Sequence, residues 1–212
     1  MNELKYDCYE DSIVGLLDME RLKQTERSRS SDYPHMIYDQ EYLSFIQRNH
    51  GGVPKLQWFK TDTGRVSRLG RFINYGGPYT EPTQDDRNFP GLDIRARWSI
   101  GALETIANIA DGCGAFLVPF GLLYTGKHSP DESGTTYINL LCFDYSKSDA
   151  DAPEVVYWDN GEACDEFYTC QERGLDSWTE MRHEKFTDRA APNFSEFMLS
   201  LRESEADLEL NN

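Results

Sequence analysis

Residues able to do chemistry are sparse in this 212-residue chain, and their spacing argues against each site they evoke. Gly121-Leu-Leu-Tyr-Thr-Gly126-Lys127 has the spacing of a phosphate-binding loop, but His128 stands where that motif needs a hydroxyl. The motif also needs a helix whose first amides face the phosphate, whereas this loop is bulky and apolar and is followed by Pro130. Cys164 and Cys170, with His183 beyond, are separated by five residues and have no second pair. Structural zinc sites space their paired cysteines by about two to four. Asp144, Asp149, Asp151 and Glu154 lack the alternating oxygen ligands and central glycine of a calcium-binding loop. His50, beside two glycines, is better placed to serve a helix C-terminus than to act as a lone general base. No serine or cysteine sits in a nucleophile elbow. These residues predict a protein that is not an enzyme, with no catalytic residue, no metal and no cofactor.

The elements around these residues follow from hydrophobic spacing. Ile13, Leu16, Leu17 and Leu22 predict a first amphipathic helix between Asp11 and Glu26, followed by a polar connector from Ser28 to Pro34. Asp39 is a natural N-cap for a second helix with Tyr42, Phe45 and Ile46 on one face, and Gly51-Gly52 stop it. Strands are expected at Leu56–Phe59 and within Val66–Ile73, with a loop over 78–91. Trp98, Ala102, Thr105, Ile106 and Ile109 predict another helix, ending before Gly112. Further strands are expected at Phe116–Phe120, Thr136–Tyr145 and Glu154–Trp158, with a solvated loop at 127–134. Asp159-Asn160-Gly161 reads as a turn, and Phe194, Phe197, Met198 and Leu201 mark a closing helix ahead of a fraying acidic tail. Helices, then strands, then a helix predict a single α+β domain.

Charge is distributed unevenly. The chain carries 37 acidic and 21 basic residues, a net charge of −16. Residues 131–170 hold ten acids against the single Lys147, and fourteen of the sixteen net negative charges lie in residues 131–212. Such a field repels nucleic-acid phosphates and attracts basic proteins. The plain alternative is an acidic surface that only maintains solubility. The longest apolar run, Ala115 to Tyr124, is too short to span a membrane and contains Pro119. The first seven residues lack the basic and apolar regions of a secretory signal, and the five cysteines are irregularly spaced. Together these features predict reduced thiols and a cytoplasmic location.

Several segments carry a resemblance when taken in order. Tyr42, Phe45 and Ile46 precede Asn49-His50-Gly51-Gly52, and Leu117-Val118-Pro119-Phe120-Gly121 follows. Ile138 to Asp144, Val155-Val156-Tyr157-Trp158-Asp159, and Phe194-Ser195-Glu196-Phe197 with Leu201 complete the series. Over residues 37–201 this order resembles the SUKH superfamily, the Smi/Knr-type group of bacterial toxin-immunity proteins. Two departures are His50, where the family usually has an asparagine, and the longer stretch 122–134. The resemblance implies a twisted, largely antiparallel sheet packed by N-terminal helices and a C-terminal helix. It divides the chain into an N-terminal helix and connector (1–36), the SUKH-like domain (37–201) and an acidic tail (202–212). Tyr42, Phe45, Gly51, Gly52, Pro119, Trp158, Phe194 and Phe197 would be structural, with Trp58 and Phe120 as further core anchors.

The resemblance further implies an immunity protein that neutralises a cognate toxin, with function on a variable surface rather than in a shared active site. A non-catalytic regulatory or scaffold protein, like the members that regulate cell-wall synthesis, is the alternative. A nuclease-type toxin needs a basic groove, which an acidic surface can occupy. The expected partner is therefore a basic toxin protein, with neither nucleic acid nor membrane bound directly. Asp144, Asp149, Asp151, Glu154, Asp159, Glu162, Asp165 and Glu166 are the expected contact residues, grouped around the strand ending at Trp158 and its flanking turns.

Overall fold

The computed structural model describes residues 6–13, 38–73, 117–123, 139–146, 153–175 and 185–209. Helix α1, Gln40–Asn49, starts where Asp39 predicts. The Asp39 Oδ1 accepts hydrogen bonds from the Glu41 and Tyr42 amides at 2.8 and 2.9 Å. Burial pushes the Asp39 carboxyl above its ordinary value, and the two amides oppose that shift. At the other end Gly51 takes φ +62°, the left-handed conformation that a side chain disfavours. Gly52 has a different reason to be glycine. A Cβ there would lie 2.7 Å from the Cys8 Cβ and 3.1 Å from the Asn49 carbonyl oxygen.

That close approach fixes the N-terminal segment. The Asn49 Oδ1 accepts from the Cys8 amide at 2.9 Å, and the Tyr9 amide donates to the Val53 carbonyl at 2.9 Å. The Val53 amide donates to Ser12 Oγ at 2.8 Å. Asn49-His50-Gly51-Gly52 is thus a packing device, with His50 buried at the helix C-cap. Burial, aided by Asp7, holds the Cys8 thiol well above its ordinary pKa, so it stays a neutral packing group.

Six strands form one antiparallel sheet in chain order: β1 (Trp58–Lys60), β2 (Val66–Phe72), β3 (Leu117–Leu123), β4 (Leu140–Asp144), β5 (Glu154–Trp158) and β6 (Thr187–Ala191). Helix α2, Asn160–Glu172, links β5 to β6, while α3, Phe194–Ser200, and the short α4, Ala206–Glu209, follow β6. This is an α+β arrangement with helices packed on a sheet, as the residue pattern predicts. Pro119 is tolerated inside β3 because the register shifts there, between Pro119 and Gly121. Gly121 lies in the same strand, where a Cβ would sit 3.0 Å from Leu69 Cδ1 and 3.2 Å from Leu141 Cβ. Its place is close sheet packing.

The core is aromatic where α1 and α3 cover the sheet. Tyr42 meets Phe120, Phe143 and Phe194 edge-on, each at 5.3 Å between ring centroids. Phe120 and Phe143 stack at 4.2 Å, and Phe59 meets Phe197 at 5.3 Å. Such pairs add about 0.5–1.5 kcal/mol each beyond the area they bury. Phe45 is partly buried against the same cluster. Every residue of β3 and β4 is buried, so these central strands are covered on both faces. Trp158 is buried and packs edge-on against Phe186 at 5.9 Å.

The sheet margins are also engaged. At the β1–β2 turn the Asp62 amide donates to the Arg189 carbonyl at 2.8 Å, and Thr61 Oγ1 donates to Asp188 Oδ2 at 2.6 Å. Thr63 Oγ1 donates to the same Asp188 oxygen. The backbone of Arg202 pairs with Trp58, covering part of the β1 edge.

Several expectations need correction. Asp159-Asn160-Gly161 opens a helix rather than making a turn, and β6 carries no alternating signal that would reveal it. Residues after Arg202 continue into α4, where a fraying tail is expected, and the Asp207 carboxylate accepts from the Ser204 amide and hydroxyl. Trp58 is only half-buried, with the Arg68 guanidinium 5.9 Å from its ring centroid. The helix predicted over Asp11–Glu26 does not begin as an α-helix, since Glu10–Ser12 form a short 3-10 turn and Ile13 is extended. Its remainder, the helix over 98–109 and the loops at 78–91 and 127–134 lie outside the described residues.

Candidate partner-binding surface

The acidic block reaches the surface through α2. Its start is built by Asp159, whose Oδ1 accepts from the Glu162 amide at 3.2 Å while its carbonyl accepts from the Ala163 amide at 3.1 Å. Asp at the cap with Glu three residues on is a helix-start pattern, and this pattern was the available signal. Its end is built by Gly174 at φ +66°, with the Gly174 amide on the Gln171 carbonyl at 3.0 Å and the Leu175 amide on the Cys170 carbonyl at 2.9 Å. Both bonds together satisfy the last carbonyls of the helix. Ala163, Phe167 and Cys170, at helical spacing, turn inward. Glu162, Asp165, Tyr168 and Glu172 therefore share the opposite face, all of them exposed.

Asp159 also anchors the helix start to the sheet. Its Oδ2 is 2.9 Å from Arg65 Nη1, and the Arg65 guanidinium lies 4.4 Å from the Tyr157 ring centroid. The Tyr157 hydroxyl lies 3.4 Å from the same carboxylate oxygen and is hydrogen-bonded to Asn139. Burial, reinforced by the charge of Asp159, raises the Tyr157 pKa, which keeps the phenol neutral. The Asn139 Oδ1 accepts from the Asn160 amide at 3.1 Å. This cluster joins the β1–β2 turn, β4, β5 and α2.

The eight carboxylates singled out by charge divide accordingly. Asp144 is only 3 % exposed, and its Oδ1 accepts from the Ser146 amide at 2.8 Å. It is a turn-forming residue, which corrects its placement on a contact surface. Glu154 lies 3.3 Å from Arg189 Nε, and Asp159 is occupied as described. Glu166 is 3.4 Å from Lys185 Nζ. Asp149 and Asp151 lie outside the described residues. Glu162 and Asp165 are exposed on the outer face of α2, so the structure brings together two of the eight. The same face also carries Tyr168, 56 % exposed, and Glu172, neither of which is among those eight.

Among the described residues no group of three His, Cys, Asp or Glu side chains converges as a metal site, and Cys170 is a buried free thiol. No helix of the described residues is long and apolar enough to cross a membrane. Comparison with protein-family models, with curated proteins and with solved structures finds no match for the chain.

Proposed function

We propose that this protein is a cytoplasmic immunity protein that binds a basic toxin, of the nuclease type, and neutralises it by covering its active groove. The observation that carries this reading is the outer face of α2, where Glu162, Asp165 and Glu172 are exposed together with Tyr168. Residues 160–175 hold four acids and one base, Arg173, within a chain of net charge −16. A groove that holds nucleic-acid phosphates presents lysines and arginines, and a rigid carboxylate-bearing helix is complementary to it. The rigidity comes from the capped ends of α2 and from the Arg65–Asp159 contact at its base. Preorganisation of this kind lowers the ordering cost of association. The ordered SUKH-like segments supply the toxin–immunity context.

The test has two steps. The full chain is used to capture its partner from an extract of the cells that make it, and the captured protein is then produced in a host with and without the full chain. Growth arrest relieved by co-production is the expected result. A captured partner whose toxicity is untouched, or which has no toxicity, contradicts the proposal.

A further inference from the structure

We propose that Tyr168 is the seat for an arginine of the partner, with Asp165 and Glu172 as its carboxylate flanks. This rests on the reading of α2 as the partner-binding face and specifies its chemistry. Asp165 lies three residues before Tyr168 and Glu172 four residues after it, so both stand one turn away on the same face. The Tyr168 ring is 56 % exposed, which leaves it accessible to a partner. The preceding Phe167, turned inward, meets the ring edge-on at 5.8 Å. The exposed ring and the acidic flanks favour a cation.

Arginine fits better than lysine for geometric reasons. A guanidinium is planar, stacks on an aromatic face and forks a carboxylate at the same time, whereas an ammonium is a strongly hydrated point charge. The chain already contains this arrangement internally. Arg65 lies 4.4 Å from the Tyr157 centroid and 2.9 Å from Asp159. The outer face of α2 offers the tyrosine and the carboxylates of that triad to a partner's arginine.

The test uses hexa-arginine and hexa-lysine peptides as probes, titrated at low salt into the full chain while the amide resonances of residues 160–175 are followed. The expected result is shifts at those amides with both peptides and tighter binding of hexa-arginine. Tyr168→Phe should keep that preference. Tyr168→Ala should lose about two- to fivefold of it, the range for a cation–π contact at an exposed site, while still binding hexa-lysine. Equal affinity for the two peptides, or an unchanged preference in Tyr168→Ala, overturns the arginine seat and leaves the acidic face standing. Absence of shifts at 160–175 with either peptide overturns both. Thermal unfolding of each variant confirms that it is folded, which an exposed substitution should leave unchanged.

Discussion

Asp39 shows how a buried cap residue serves two opposing demands. Its Oδ1 satisfies two amides of α1, yet burial raises its pKa from the ordinary 3.8, so the ionised form is the one that folding disfavours. A carboxyl whose folded pKa is raised contributes most below its unfolded pKa, and that contribution is lost as pH rises through the folded value. Asp39→Asn keeps an acceptor oxygen but does not titrate. The stability of Asp39→Asn relative to the wild type should therefore increase from pH 3 to pH 7 in urea titrations, and a decrease would show that the charge itself stabilises the helix. Trp158 belongs to the same scale. Its indole is buried against Phe186, and Trp158→Ala should cost about 3–5 kcal/mol in urea unfolding. An unchanged midpoint would contradict its place in the core. Gly52→Ala should destabilise by about 1–3 kcal/mol, because the added methyl meets Cys8 and the Asn49 backbone together.

Among the elements, legibility followed the strength of local signals. Asp39 and Gly51 bracket α1 as read from the sequence, and the apolar runs at 117–123, 140–144 and 154–158 became strands. Asn160-Gly161 misled because a dipeptide favoured in hairpin turns also fits the first turn of a helix when an aspartate precedes it. β6 was hidden by its composition. Thr187, Asp188 and Arg189 have low apolar content; they pair with β5, and Asp188 and Arg189 are further tied to Thr61, Asp62 and Thr63, some 125 residues earlier in the chain. No local pattern encodes such a partnership. The acidic density of 131–170 was visible, but its direction was not, since burial of Asp144 and pairing of Glu154 depend on tertiary neighbours. If α2 is positioned as described, Asp159→Ala should destabilise by about 1 kcal/mol through the lost cap, with Asp159→Asn recovering most of it. Equal stability of Asp159→Ala and the wild type in urea titration would show that the cap does not hold α2.

For the molecule as a whole, charge and fold have separate roles. The aromatic core joins α1, α3 and the sheet into one unit, while the outer face of α2 carries exposed acid that the core does not need. Neutralising that face should leave stability within about 0.5 kcal/mol, the range for surface substitutions. On the proposed function its effect is on association, because exposed charges steer encounter and are screened by salt over about 10 Å at 0.1 M. The most direct measurement is the association rate of the partner captured by the full chain with the wild type and with Glu162→Gln/Asp165→Asn/Glu172→Gln, from low to moderate salt. The wild-type rate should fall steeply as salt rises, and the variant should associate more slowly with a shallower dependence. Superimposable rates across the salt range would contradict binding through α2.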